Sequence, residues 1–204
     1  MARTFGSFSQ NTAPKVFKTA LRLFAQYGYA AVSMRQIAKE VGVQVGALYN
    51  YTPDKQTLLF TIMREHMESL LAAWDARVKS DDPLVQLKDF IQFHLAFHLH
   101  KKDEVFVAYM ELRNLSDENF AVIEGLRRRY ELILEYILVR GAKADVFHIS
   151  DARVTTLALI GMLKEVGTWY RPDGRLSSAE ITSIYQNMVA HILGVDSHFM
   201  PAHT

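Results

Sequence analysis

The chain has 204 residues, half of them hydrophobic, and a formal net charge of +1, which allows either one core or a small domain joined to a larger one. It contains no cysteine, which excludes a disulfide framework, a thiolate metal site and a cysteine nucleophile together and suits a reducing cytoplasm. The opening run MARTFGSFSQNTAPK lacks an apolar signal core and no later stretch is long and uncharged enough to span a membrane, so a cytoplasmic protein is expected.

Apolar residues recur at spacings of three and four almost throughout and alternating β-branched runs are missing, so the expected class is all-α, with about nine helices. A first helix over about Ala13 to Tyr27 places Phe17, Ala20, Leu21 and Phe24 on one stripe and stops at Gly28. Ser33 with Gln36 opens a second that ends at Gly42, and a third covers about Val45 to Tyr51. A long fourth starts at Thr52-Pro53, read as a hydroxyl cap followed by proline at the first helical position, and reaches about Lys79. Asp82-Pro83 repeats the signal for a fifth helix to about His100, a short sixth spans Asp103 to Asn114, and a seventh runs from Ser116 to Gly141. The eighth covers about Asp151 to Tyr170, and Ser177 with Glu180 caps a ninth that ends at Gly194, leaving a tail expected to fray.

Charge is distributed unevenly along this helical chain. Through Phe60 there are seven Lys/Arg against two Asp/Glu, a net of +5, whereas the remainder carries sixteen basic and twenty acidic residues, a net of −4. A basic head on a mildly acidic body suits a polyanion-binding module, and the bland alternative is a chance cluster on a solvated face.

The stretch SMRQIAKEVGVQVGALYNYTPDK meets the requirements of a helix-turn-helix. Ile37, Ala38 and Val41 form a narrow buried face, Gly42 permits the corner, Val43 plugs the core, and Ala47 with Leu48 turns the third helix inward. The residues left facing outward are small or hydrogen-bonding, as contact with base edges and phosphates requires. Ser33 suits a phosphate at a helix N-terminus, Arg35 can reach a groove edge, and Lys55 can grip the backbone as a point charge. The candidate DNA-contacting set is Ser33, Arg35, Gln44, Val45, Gly46, Ala47, Tyr49, Asn50 and Lys55. An ordinary helical hairpin whose polar face meets water is the competing reading, and the charge imbalance weighs against it.

The run from about Lys15 to Leu59, containing LFAQYGY, IAKEVGV and a Gly-x-Leu-Tyr third helix followed by a lysine, resembles the N-terminal domain of TetR-family transcriptional regulators. Two positions depart from the commonest pattern: Gln44 stands where serine is frequent, which removes a strong cap and offers a base-reading amide, and Thr52 stands where an aromatic is common. The resemblance implies an all-α homodimer with a variable C-terminal ligand pocket and an interface made by the last two long helices. It also implies a pseudo-palindromic double-stranded DNA operator that is released when a ligand changes the spacing of the two heads. On this reading residues 1–55 are the DNA-binding domain and 56–204 the ligand-binding and dimerisation domain, met through the fourth helix without a flexible tether.

In the fifth helix Leu84, Leu87, Ile91, His94 and His98 share one stripe, so both histidines point inward. Four residues apart they could hold a metal from one face, line a pocket, or simply pack; no third ligand completes a set, so no metal or cofactor is expected. Phe97, Phe106, Tyr109, Met110, Arg113, Tyr130 and Trp169 join His94 and His98 as candidate ligand-binding residues, the mix that a largely apolar pocket would use, although each also fits plain core. The segment ALIGMLKEVGTWYRPDGRLSSAEI resembles TetR-type regulators that sense acyl-coenzyme A thioesters, which implies an apolar effector with basic residues near the pocket mouth. Small residues Ala158, Gly161 and Gly167 lie beside Leu157, Ile160, Ile184, Met188 and Ile192, and a pair of helices so composed is expected to form a four-helix bundle with a twofold mate. Arg127, Arg128 and Arg129 read as a solvated patch or an anion contact. The chain carries no Gly-x-Ser-x-Gly elbow, phosphate-cradling glycine loop or His-Glu-x-x-His, so a non-enzymatic regulator is expected, with a helical protein-interaction module as the first alternative and an enzyme using a metal on the paired histidines as the second.

Overall fold

A computed structural model describes residues 7–195, and over them the chain is helical with no strand. The elements are α1 (Ser7–Tyr27), α2 (Met34–Val41), α3 (Val45–Leu48), α4 (Lys55–Asp75), α5 (Pro83–Leu99), α6 (Lys102–Met110), a 3-10 turn (Leu112–Asn114), α7 (Asp117–Lys143), α8 (Ala152–Trp169) and α9 (Ser178–Ile192). Nine α-helices among the described residues agree with the all-α expectation. The tail expected to fray lies outside the described residues beyond Val195, as does Arg3 of the basic head.

Most boundaries follow from caps legible in the sequence. The Ser33 hydroxyl accepts from the Gln36 N–H, Asp82 accepts from Leu84 and Val85, Asp151 accepts from Val154, and Ser177 with Glu180 closes a reciprocal capping box. Gly42 ends α2 at φ 83°, in the left-handed region that favours glycine, and its N–H reaches the carbonyls of Ala38 and Lys39.

Several boundaries differ from expectation, and three of them have a local cause. Helix α1 begins at Ser7 and carries Pro14 inside it, so the proline that suits a first turn does not mark the start. Helix α4 begins at Lys55: Asp54 caps it by accepting the Thr57 N–H at 2.6 Å, while Thr52 is buried and donates its hydroxyl to the Asp54 carbonyl. Helix α7 passes through Gly141 to Lys143, because that glycine serves a close approach and not a stop. A Cβ there would overlap the buried ring of Phe147 from the following connector, and the left-handed residue after the helix is Asp145 at φ 57°.

The described chain divides into two compact units, residues 7–69 with 103–126 and residues 70–102 with 127–195; α4 and α7 each contribute to both. The first unit is built on Val16, Ala20, Leu23 and Phe24 of α1, Ile37, Ala38 and Val41 of α2, Leu48 of α3 and Leu58, Leu59, Ile62 and Met63 of α4, with Val107 and Ile123 completing its core. Burial of each of the larger of these side chains is worth about 1.5–3 kcal/mol, and the burial of Leu48 is what holds so short an element as α3 in place. In the second unit α5 is buried on nearly all sides and packs against both α8 and α9, so its sequence is apolar around most of its circumference.

Candidate nucleic-acid interface and buried polar cluster

In the head, α2 and α3 meet across the Gly42 corner, with Ile37, Ala38, Val41 and Leu48 turned into the core. The opposite face is open. Gln44, Gly46, Tyr49 and Asn50 are exposed, Tyr49 at 53%, while Val45 and Ala47 are half-buried at its edge. A side chain at Gly46 would meet nothing within 4 Å, so the glycine leaves room for something outside the monomer. Gln44 occupies the N-cap position of α3, where its carbonyl accepts from the Ala47 N–H at 2.9 Å but its side chain makes no cap bond, which leaves the side-chain amide available to a partner. Helix α3 is shorter than expected, and Tyr49 to Thr52 continue as turns closed by bonds to Ala47 and Leu48 carbonyls.

Ser33 and Arg35 are exposed at the start of α2. The basic residues divide in a way that counting charges could not reveal. Lys15 donates to the Val41 carbonyl at 2.7 Å, Arg22 pairs with Glu40 at 2.8 Å, and Lys55 donates to the carbonyls of Tyr29 and Val32 at 2.8 Å each. Partial burial lowers the Lys55 pKa. Lys18, Arg35 and Lys39 remain as exposed cations of the head.

The body gathers His94, His98, Tyr130 and Phe97 around α5. His94 Nδ1 lies 3.0 Å from the Tyr130 hydroxyl, and the two imidazoles stack with centroids 4.2 Å apart. His98 Nδ1 lies 2.8 Å from the His94 carbonyl, which can only accept, so Nδ1 carries a proton. Burial holds the His98 pKa down at about 4, with nearby Lys101 adding to the effect and the bond to His94 opposing it. Phe90 flanks both His94 and Tyr130, and Lys101 lies 3.8 Å from the Phe97 centroid. Among the described residues no three His, Asp or Glu side chains converge as a metal set would.

The other ligand candidates are elsewhere. Phe106, Tyr109, Met110 and Arg113 belong to the first unit, where Phe106, Met110 and Arg113 are exposed. Trp169 is 49% exposed and borders a cavity of about 190 Å³ with Arg171 and Arg175. A larger groove of about 390 Å³ between α5 and α9, lined by residues including His100, Ser178, Thr182 and Gln186, involves none of the candidates. Sequence reasoning missed it because its lining mixes apolar and polar side chains from two helices far apart in the chain, without a motif. Arg128 pairs with Glu135 at 2.8 Å and Arg153 with Glu131 at 2.7 Å, so Arg128 is tied into α7 and Arg129 is the exposed member of the arginine run.

Along α8 and α9, Leu157, Ala158, Ile184, Met188 and Ile192 are exposed and Gly161 is half-exposed, whereas Ile160, at 8%, packs into the body's own core. Side chains at Gly161 or Gly167 would meet nothing within 4 Å, so neither glycine is needed for packing within the chain. Among the described residues no helix is long and apolar enough to cross a membrane.

Residues 16–62 match the family described as bacterial regulatory proteins, tetR family, and residues 80–193 match the tetracyclin repressor-like, C-terminal domain. The fold superimposes on a bacterial regulatory protein in the tetR family from Rhodococcus RHA1 with a TM-score of 0.85 at 28% identity, covering 91% of this chain and 98% of that one. The fatty acid metabolism regulator protein of Bacillus subtilis is 24% identical over 182 residues, 87% of this chain and 94% of its own length. AibR, solved in complex with isovaleryl coenzyme A and operator DNA, shares the fold with a TM-score of 0.78 at 24% identity, over 91% of this chain and all of that one. With matches to both its DNA-binding head and its C-terminal domain, the chain belongs to the TetR family of bacterial transcriptional regulators.

Proposed function

We propose that this regulator is a cytoplasmic dimeric repressor that reads a pseudo-palindromic operator through α2 and α3 and leaves it when its body takes up an acyl-coenzyme A thioester. The observation that carries the DNA contact is the open face of α3, where Gln44, Gly46, Tyr49 and Asn50 stand clear of a head whose other face is fully packed. Ser33 and Arg35 extend that face, Val45 and Ala47 border it, and Lys55 serves it through the turn that it holds. In functional terms residues 1–55 carry DNA contact and 56–204 carry effector binding and dimerisation.

Dimerisation draws its support from the uncovered apolar stripe of α8 and α9, since contiguous exposed apolar surface marks interaction sites and a twofold mate would bury it in a four-helix bundle. The acyl-coenzyme A reading draws on two relatives: the fatty acid metabolism regulator of B. subtilis and the AibR structure with isovaleryl coenzyme A. Within the body His94, His98 and Tyr130 would supply the few polar fixing groups, Phe97 and Trp169 the apolar wall, and Arg171 and Arg175 cationic contacts for an anionic effector.

A gel shift on the DNA upstream of the protein's own reading frame tests the first half. Binding should fall steeply with salt as phosphate contacts release counterions, and no binding at low salt removes the DNA reading. A thermal-shift panel of acyl-coenzyme A esters tests the second. An effector present at a hundred times its Kd should add about 2.7 kcal/mol of stability, and no shift at any chain length sinks the effector half alone.

A further inference from the structure

We infer that Lys55 is a positioning residue of the DNA-reading head, whose ammonium holds the α1–α2 turn in the shape that sets Ser33 and the first turn of α2, instead of anchoring a phosphate. Lys55 opens α4, yet its Nζ reaches back 26 residues to the Tyr29 carbonyl and 23 to the Val32 carbonyl, at 2.8 Å each. The same nitrogen lies 4.1 Å from the centroid of the Tyr29 ring. These two carbonyls are the ends of one turn, which closes itself with a 3.3 Å bond from the Val32 N–H to the Tyr29 carbonyl. Val32 is buried in the head core and is followed at once by Ser33, the cap of α2. Whatever fixes the Val32 carbonyl therefore fixes the entry of the chain into the helix-turn-helix.

An ammonium has three N–H donors. Two are committed to the turn and an aromatic face shields another side, so at most one N–H is left for a phosphate, and any fuller contact would draw the ammonium off the carbonyls and loosen the turn. Exposed Lys18, Arg35 and Lys39 in the same unit can supply phosphate contacts without that conflict. Next to Lys55, Gln56 ties the start of α4 to the segment before α7: its amide nitrogen donates to the Asn114 carbonyl at 2.8 Å and its oxygen accepts from the Ser116 N–H at 3.2 Å. The first turn of α4 is thus bonded on both sides within the unit, as a positioning role requires.

The test uses the full chain and the DNA upstream of its own reading frame, and it rests on the DNA-binding reading for one of its arms only. In Lys55→Met, amide hydrogen exchange over residues 29–34 of the free protein should quicken at least about tenfold. DNA affinity should fall about tenfold, with the slope of log K against log salt unchanged from the wild type. Unchanged exchange together with a slope shallower by about 0.9 identifies a phosphate contact and overturns the inference. Should Lys55→Met fail to fold, lysine-selective NMR on the wild type decides: Lys55 ammonium protons protected from solvent in the free protein support positioning, and protection that appears only with DNA overturns it. If the wild type binds no DNA at any salt, the DNA-binding reading fails, and the exchange measurement and the free-protein NMR still judge Lys55.

Discussion

Burial in the aromatic cluster of α5 keeps His98 neutral, with a pKa of about 4 against an ordinary 6.5. The sign of the linkage follows. Above pH 6.5 the residue is neutral whether the chain is folded or unfolded and contributes no pH dependence; below that value the unfolded chain binds a proton that the folded one resists. Stability should therefore decline from about pH 6.5 and level off below about pH 4, by about 3 kcal/mol from this residue alone. Chemical denaturation across that window should show a flatter acid limb in His98→Gln than in the wild type, whatever the substitution does at neutral pH. An equal acid limb in both would mean that His98 titrates normally. Gln44 is the other residue whose surroundings make a prediction. It sits at an N-cap and makes no capping bond, so Gln44→Ser should add about 0.5–1 kcal/mol of stability while changing which operator sequences are selected from a randomised pool.

Helix α7 shows how the same residue type does opposite things on one element. Gly141 lies beneath the Phe147 ring with no room for a methyl group, whereas Gly125 faces open space. Gly141→Ala should destabilise the protein by about 1–3 kcal/mol through overpacking, and Gly125→Ala should stabilise it by about 0.5–1 kcal/mol through helix propensity. Urea unfolding of the two variants checks both, and a Gly141→Ala protein as stable as the wild type would contradict the close approach. In the sequence Gly141 reads as a helix end because a glycine after a run of periodic residues usually is one. Nothing in the spacing tells that a phenylalanine six positions later folds back over it. The capping signals at Ser33, Asp82, Asp151 and Ser177 are legible because a cap and its target N–H lie within three residues of each other.

For the molecule as a whole, the apolar stripe on α8 and α9 is a surface that the single chain leaves uncovered. Ile184→Glu combined with Met188→Glu replaces exposed side chains outside the monomer core, so helix content should stay as in the wild type; on the proposed dimeric reading, sedimentation should give half the wild-type mass and operator binding should weaken at least about tenfold. A double variant that still sediments as a dimer would move the interface elsewhere. The edge of that stripe is sharp along α8: Leu157 and Ala158 are exposed, whereas the next two residues, Leu159 and Ile160, are buried in the body. Ile160→Glu should therefore unfold the monomer itself, a circular-dichroism loss that the Ile184→Glu, Met188→Glu pair should not show.

Neighbouring residues sufficed to fix the all-α class, most helix starts and the helix-turn-helix, because periodicity, caps and the Gly42 corner are encoded over short spans of chain. Packing was needed to settle which cations of the head are engaged internally, that Phe106, Tyr109, Met110 and Arg113 fall in a different compact unit from His94 and His98, and that Lys55 reaches back to Tyr29 and Val32. The internal partners of Arg22, Lys55 and Lys15 lie 18 to 26 residues away. A charge or an aromatic ring carries no mark in the sequence of the distant carbonyl, carboxylate or ring that it will meet; only assembling the helices around a common core brings them within bonding distance.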